Sequence, residues 1–303
     1  MVRKPDFFIV GAPRCGTTAM YEYLRQHPEI YMPERKEPHF LGSDLRVLRK
    51  FTYYTPNLNR YLALFKEGQS KKRVGEASTL YLKSRMAASE IKEFSPHASI
   101  IIMLRNPVDM IHSLHAHVVD LGAEDIEDFE RALEAETDRS RGLKIPKGCG
   151  IVDSLLYRDI TRFSEQVGRY FKIFGRENVY VINYDDFRDN TPAVYGTVLN
   201  FLEVNSNFQP RFDVIHGNRQ VRSKMLRHLW VRRPLFLQHA LMDYVPLPVT
   251  RGVQKSLRWV YSRPTPRPPM NPQLRKSLQV EFRPEVERLS ELLGQDLTHW
   301  CNE

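Results

Sequence analysis

Short apolar runs alternate along the chain with longer segments in which apolar residues recur every three or four positions. The runs predict strands at 6–10, 73–76, 98–104 and 178–183, because each is bounded by turn residues or by a following helix. The helical spacing predicts helices at 17–27, 82–94, 107–121, 126–140, 155–174, 191–203 and 272–293. Strands that alternate with helices indicate an α/β fold: a parallel sheet flanked by helices, with a helical C-terminal extension.

A chain of 303 residues, of which 42% are hydrophobic, is expected to form a single domain spanning 1–303. Within it we expect an α/β core at 1–204, a loop and lid region at 205–270, and a C-terminal helix at 271–303. Aromatic, aliphatic and basic residues are interleaved over 226–261. This pattern leaves open a lid over an apolar acceptor, a helix pair on a membrane surface, and an ordinary packing layer.

The first strand runs into a basic turn bounded by glycines and then into a helix, in the segment FFIVGAPRCGTT at 7–18. Backbone N–H groups in such a turn, together with the helix dipole, favour a bound phosphate or sulfate. Arg14 adds a planar set of donors, and Gly11 and Gly16 permit a close approach of the backbone. The spacing matches the P-loop of nucleoside triphosphatases, except that Thr17 stands where that loop has its Lys.

A second anion site is predicted after the apolar run at 98–104, which has the character of a parallel strand buried on both faces. Arg105 follows this strand, and the next helix begins near Pro107, where a proline costs least. Open α/β sheets bind ligands at the carboxyl ends of their strands. Ser113 lies two turns into the helix, so its hydroxyl and the Arg105 guanidinium are expected to converge.

Taken together, the two motifs resemble those of the sulfotransferases that use 3′-phosphoadenosine 5′-phosphosulfate (PAPS). The segments at 36–40, 74–78, 179–187 and 292–300 extend the resemblance over most of the chain, towards bacterial members and the heparan-sulfate type. One departure is Ala77, where that branch has a Lys. The resemblance implies a cofactor site made of Gly11, Pro13, Arg14, Cys15, Gly16, Thr17, Thr18, Arg105, Ser113 and Tyr184, with Arg219 and Arg222 as further candidates for the 3′-phosphate.

The acceptor has to lose a proton, and three residues are candidates for the general base. Glu37 ranks first, since it matches by resemblance the glutamate base of the heparan-sulfate 3-O type. His117 ranks second: it shares a helix face with Ser113 and matches a histidine of the N-sulfotransferase type. Glu76, at the end of a core strand, ranks third. Arg14 is assigned the stabilisation of charge on the transferred group and on the leaving phosphate.

The amino-acid composition limits the binding partners and the location that we expect. The formal net charge of +9 should attract anions, but no long run of Lys and Arg favours nucleic acid as the main partner. Three scattered cysteines do not make a disulfide framework or a zinc site, so we expect no metal and interpret Cys15 as a small residue in a tight turn. Since we find neither a signal peptide nor an apolar stretch of about 18 residues, we expect a cytoplasmic location.

The expected function is therefore transfer of a sulfuryl group from PAPS to a hydroxyl or amine of a carbohydrate, lipid or small-metabolite acceptor. The product nucleotide would be 3′-phosphoadenosine 5′-phosphate (PAP). Two alternatives stay open. One is a P-loop nucleotide kinase or NTPase, which Thr17 disfavours, and the other is a non-catalytic protein that binds anions or a membrane. The acceptor, the oligomeric state and any peripheral membrane contact are left open.

Overall fold

A computed structural model describes residues 3–48, 57–213, 219–221, 262–264 and 269–302. Its centre is a five-stranded parallel sheet with the strand order β2-β3-β1-β4-β5. The strands are β1 (Phe7–Gly11), β2 (Ile30–Tyr31), β3 (Arg73–Ala77), β4 (Ser99–Leu104) and β5 (Val179–Asn183). The predicted α/β class and its four strands are confirmed, and the two-residue strand β2 is an addition at the edge.

Helices connect the strands and pack against the sheet. They are α1 (Thr17–Arg25), α2 (Leu58–Ala63), α3 (Ala87–Phe94), α4 (Pro107–Asp120), α5 (Phe129–Glu134), α6 (Glu136–Ser140), α7 (Phe163–Phe174), α8 (Tyr184–Asp189), α9 (Thr191–Phe201) and α10 (Pro272–Leu293). A separate antiparallel pair consists of β6 (Arg219–Val221) and β7 (Ser262–Pro264). Within the described residues, no helix is long and apolar enough to cross a membrane.

Three predicted helices differ from those observed. α3 starts at Ala87, later than predicted, because the Ser84 hydroxyl oxygen accepts the backbone N–H of Ala87 at 2.9 Å and keeps the preceding residues in a turn. The segment predicted as one helix at 126–140 divides into α5 and α6. Of the helix predicted at 155–174, only α7 and a short 3-10 turn before it are present. The first of these differences borders the phosphate loop, because the N–H of Leu82 donates to the carbonyl of Val10 at 2.7 Å.

The core is built on the two central strands. Every residue from Phe7 to Val10 and from Ile100 to Met103 is fully buried, as expected for parallel strands covered on both faces. α10 packs on the domain through Leu278, Phe282, Val286 and Leu289, and the helix predicted at 272–293 is confirmed. The carboxyl ends of β1, β3, β4 and β5 therefore open onto one edge of a rigid sheet.

The C-terminal segment fixes two of the turns at that edge. Asn106 caps α4, since its side-chain oxygen accepts the N–H of Val108 at 3.0 Å, while its side-chain amide donates to the carbonyl of Trp300 at 3.0 Å. The indole N–H of Trp300 in turn donates to Asp185 at 3.0 Å, in the first turn of α8. One tryptophan thus ties the turn after β4 to the turn after β5.

Candidate active site

The loop between β1 and α1 has the shape of an anion cradle. Gly16 has a φ of +85°, and a Cβ there would lie 3.1 Å from the ring of Phe187. A Cβ on Gly11 would lie 2.5 Å from the Cβ of Leu82, so both glycines are needed for this backbone path. Because Gly16 is the N-cap of α1 and has no side chain to cap it, the first-turn N–H groups suit an anion.

The two predicted anion motifs meet in the structure. Arg14 lies in the loop with a φ of +64°, and its Nε donates a hydrogen bond to the hydroxyl oxygen of Ser113 at 3.1 Å. Ser113 itself is buried in α4. The loop is also joined to β4, because the N–H of Ala12 donates to the carbonyl of Met103 at 2.7 Å. The structure therefore links the two motifs through Arg14 and Ser113, and the predicted convergence of Ser113 with Arg105 stays a prediction.

Arg105 stands at the carboxyl end of β4 and keeps 24% of its side chain exposed. Its guanidinium lies 4.7 Å from the ring centre of Tyr184, and Asp109 is 4.0 Å away. Asp109 is also paired with Arg275 of α10. The Tyr184 ring thus contacts the Arg105 guanidinium, and the predicted contact of Tyr184 with the nucleotide stays a prediction.

Cys15 is fully enclosed beneath the loop. Burial raises the pKa of its thiol to about 12, although the charges of Arg105 and Arg14 act in the opposite direction. A thiol with such a pKa is not a nucleophile near neutral pH. Cys15 and its buried neighbour Pro13 therefore shape the turn, in agreement with the interpretation from sequence.

A cation that the sequence analysis did not assign to the site reaches the loop from the segment after β2. The ammonium group of Lys36 donates to the hydroxyl oxygens of Thr18 at 3.0 Å and Thr17 at 3.5 Å, and to the carboxylate of Glu37 at 3.1 Å. Its side chain is 15% exposed. The sequence shows only that Lys36 directly precedes Glu37, and this does not indicate where the Lys36 side chain points.

Glu37 lies beside these threonines with a φ of +59°, and 37% of its side chain is exposed. Its Oε1 also accepts the hydroxyl of Thr79 at 3.1 Å, and the imidazole of His39 lies 3.7 Å from Oε2. Partial burial raises the pKa of this carboxyl, but the charge of Lys36 and the hydrogen bonds of His39 and Lys36 outweigh it. The pKa of Glu37 therefore lies well below its usual range.

Glu76 has the opposite environment. It is fully buried near the end of β3, and its Oε2 accepts the hydroxyl of Tyr61 at 3.0 Å. Phe40 stacks on Tyr61 with 4.2 Å between the ring centres and covers that side. Burial raises the pKa of Glu76 to about 7, against hydrogen bonds of Ser78, Tyr81 and Tyr61 that lower it. In this arrangement the carboxyl is closed off from an acceptor.

The remaining candidates lie along α4 and beyond it. His117 is partly exposed on the same helix as Ser113, and β6 packs against that helix. The backbone of Arg219 lies in β6, which brings this candidate to the side of α4. Arg222 and the interleaved segment 226–261 fall outside the described residues. No group of three metal-ligating side chains occurs among the residues that the structure describes.

Comparison with known proteins identifies the family. The sulfotransferase domain model matches residues 4–230. A sulfotransferase from Alicyclobacillus acidocaldarius has a similar crystal structure, with a TM-score of 0.74 and 30% sequence identity over 99% of both chains. The chain is 21% identical to a membrane-associated sulfotransferase of Dictyostelium discoideum, and 24% identical to carbohydrate sulfotransferase 15 of Rattus norvegicus. These matches cover 74% and 66% of this chain, but only 62% and 44% of the two relatives.

Proposed function

The chain belongs to the sulfotransferase domain family, and we propose that it transfers a sulfuryl group from PAPS to a hydroxyl or amine. The hydrogen bond between Arg14 and Ser113 carries the proposal. It unites the loop expected to hold the 5′ end of the cofactor with the helix expected to hold its 3′-phosphate. A P-loop kinase has no need of this second anion site.

The residues present fit PAPS. The uncapped start of α1 and the guanidinium of Arg14 offer donors for the 5′-phosphosulfate, and Arg105 with Ser113 offers donors for the 3′-phosphate. When bound, PAPS supplies the activated sulfuryl group. Arg14 would balance the charge that develops on the transferred group and on the 5′-phosphate, and the N–H donors of the loop are already in place for it.

Glu37 is the base that the geometry favours. It is ionised, partly exposed, and next to the hydroxyls of Thr17 and Thr18 that begin α1. An acceptor hydroxyl beside Glu37 would give its proton to this carboxylate as its oxygen forms a bond to sulfur. The bond from sulfur to the 5′-phosphate oxygen of PAPS would break in the same step, and PAP would leave. His117 remains the second candidate.

For the acceptor we propose a carbohydrate first, because one relative is named a carbohydrate sulfotransferase. A lipid-linked or small-metabolite acceptor is the alternative, and the relative named as membrane-associated makes a lipid-linked sugar worth including in a screen. The cytoplasmic location expected from the sequence stays a prediction.

The test is calorimetric titration with PAP, AMP and Mg-ATP. We expect tight, metal-independent binding of PAP and weak binding of AMP, which lacks the 3′-phosphate. The variant Arg105→Ala should weaken PAP binding by roughly 10- to 100-fold and change AMP binding little, since a charge-assisted hydrogen bond is worth about 1.5–3 kcal/mol.

Arg176→Ala is the matched control, because Arg176 also lies over an aromatic ring, 4.5 Å from the centre of Phe171, but before the amino end of β5. It should bind PAP like the unchanged chain. A preference for Mg-ATP would replace this proposal with a kinase, and no binding of any nucleotide would favour a non-catalytic anion-binding protein.

A further inference from the structure

Lys36 connects the two halves of the site, the phosphate loop and the proposed base. Its ammonium donates to Thr18, Thr17 and Glu37, so its three protons have three acceptors. The backbone holds the side chain there: the N–H of Glu37 donates to the carbonyl of Ala77 at 2.9 Å, which pins the segment to the end of β3. The carboxyl end of β3 has no cation of its own, since Ala77 occupies it.

We propose that Lys36 is a positioning residue that turns the hydroxyl protons of Thr17 and Thr18 towards the 5′ group of the nucleotide and neutralises Glu37 beside it. The proposal rests on the proposed function, because it assigns the 5′ end of PAPS to the loop. It adds Lys36 to that site and gives this residue two roles, one at the phosphate loop and one at Glu37.

The first part of the proposal follows from donor counting. A lysine ammonium can only donate, so each threonine oxygen in contact with it must accept. The proton of each hydroxyl is then directed away from Lys36 and is available to an anion held at the start of α1. Without the ammonium, each hydroxyl could instead donate to the Glu37 carboxylate or to water, and its orientation for the nucleotide would be lost.

The second part follows from charge. The structure places a carboxylate 3.1 Å from the same ammonium that lies 3.0 Å from Thr18, so an anion bound at α1 has Glu37 as a near neighbour. Two anions at short range repel unless a cation lies between them. Lys36, with only 15% of its side chain exposed, is placed to be that cation.

The experiment compares two ligands. Lys36→Met should weaken binding of PAP by about tenfold or more, while binding of adenosine 3′-monophosphate, which lacks the 5′-phosphate, should change less than about twofold. Lys36→Gln keeps a donor and removes the charge, so its PAP affinity should lie between those of the unchanged chain and Lys36→Met. Lys83→Met is the matched control: this lysine is 11% exposed and ion-paired with Asp153 and Asp159, and its loss should leave both affinities unchanged.

A double-mutant cycle separates charge balance from simple packing. Glu37→Gln combined with Lys36→Met should recover part of the lost PAP affinity, because the repelling carboxylate has gone. Thermal unfolding confirms that each variant is folded. Equal losses for the two ligands, or no coupling between the two substitutions, would overturn the inference. If the unchanged chain binds no PAP, the proposed function itself fails, and the two failures are therefore distinguishable.

Discussion

Two glutamates near the end of β3 have pKa values that their surroundings shift in opposite directions. Glu37 is hydrogen-bonded to Lys36 and Thr79 and partly exposed, and its pKa lies well below the usual range. Glu76 is enclosed with Tyr61, and burial raises its pKa to about 7. In the described residues no Lys or Arg is ion-paired with Glu76. The two environments therefore differ in that Glu37 has the cation Lys36 beside it.

The contrast bears on the choice between the two carboxyls as the proposed proton acceptor. A pKa near neutrality suits a general base, and on that ground alone Glu76 would be preferred. It is fully buried, however, and a base has to reach the proton that it removes. Glu37 is the weaker base, but its side chain is partly exposed and its lowered pKa keeps it ionised at neutral pH. We therefore propose Glu37 as the base because it is accessible, and we interpret the buried Glu76 as part of the packing beside it.

The largest effect expected from this contrast is on turnover. Glu37→Gln should lower turnover by about 10²- to 10⁴-fold with the first acceptor identified, because general acid–base catalysis typically contributes this much. The melting temperature should stay near that of the unchanged chain, and PAP binding should not weaken.

Glu22→Gln, at an exposed ion pair with Arg25, serves as the control for this substitution. A loss below about tenfold would transfer the base role to His117, which His117→Asn would then test.

The second expected effect is on stability as a function of pH. The pKa of Glu76 is raised above its unfolded value of 4.5, so its contribution is complete below that value and is lost as pH rises towards about 7. The free energy of unfolding should fall by up to about 3 kcal/mol over this interval relative to Glu76→Gln. Urea unfolding at several pH values measures it, and parallel curves for the two chains would contradict the assigned environment.

The smallest expected effect is the loss of stability when the one hydroxyl that donates to each carboxylate is removed. Tyr61→Phe should lower the free energy of unfolding by about 1 kcal/mol, because the buried Glu76 then loses a partner that water cannot replace. Thr79→Val should cost less, since Glu37 keeps Lys36 and contact with solvent. Denaturant midpoints of the two variants provide the comparison. A larger cost for Thr79→Val would mean that Glu37, not Glu76, is the structural member of the pair.

The parts of the molecule that could be predicted from sequence are those that local patterns determine. The apolar runs of β1 and β4 and the turn residues after them are contiguous in the chain, so the strands, the parallel sheet and the two anion motifs follow from them. The start of α3 could not be placed, because it depends on which backbone N–H the Ser84 side chain accepts. The strand β2 is too short to show a period.

The arrangement around Glu37 was also beyond the sequence. Lys36 and Thr18 are joined only because the segment after β2 crosses back and pairs with the carbonyl of Ala77. Nothing in the local pattern distinguishes this lysine from a solvated one. The burial of Glu76 likewise depends on Tyr61 and Phe40, which approach from a distant helix and loop.

The hydrogen bond between Asn106 and Trp300 has a consequence for the time at which the site is completed during synthesis. Trp300 follows the end of β4 by almost 200 residues, so the phosphate loop and β4 leave the ribosome well before it does. Until then the turn after β4, which carries Arg105, lacks the hydrogen bond from Asn106 to Trp300. We expect stalled nascent chains that have not exposed Trp300 to bind PAP more weakly than released chains, and equal binding would show that the anchor is dispensable.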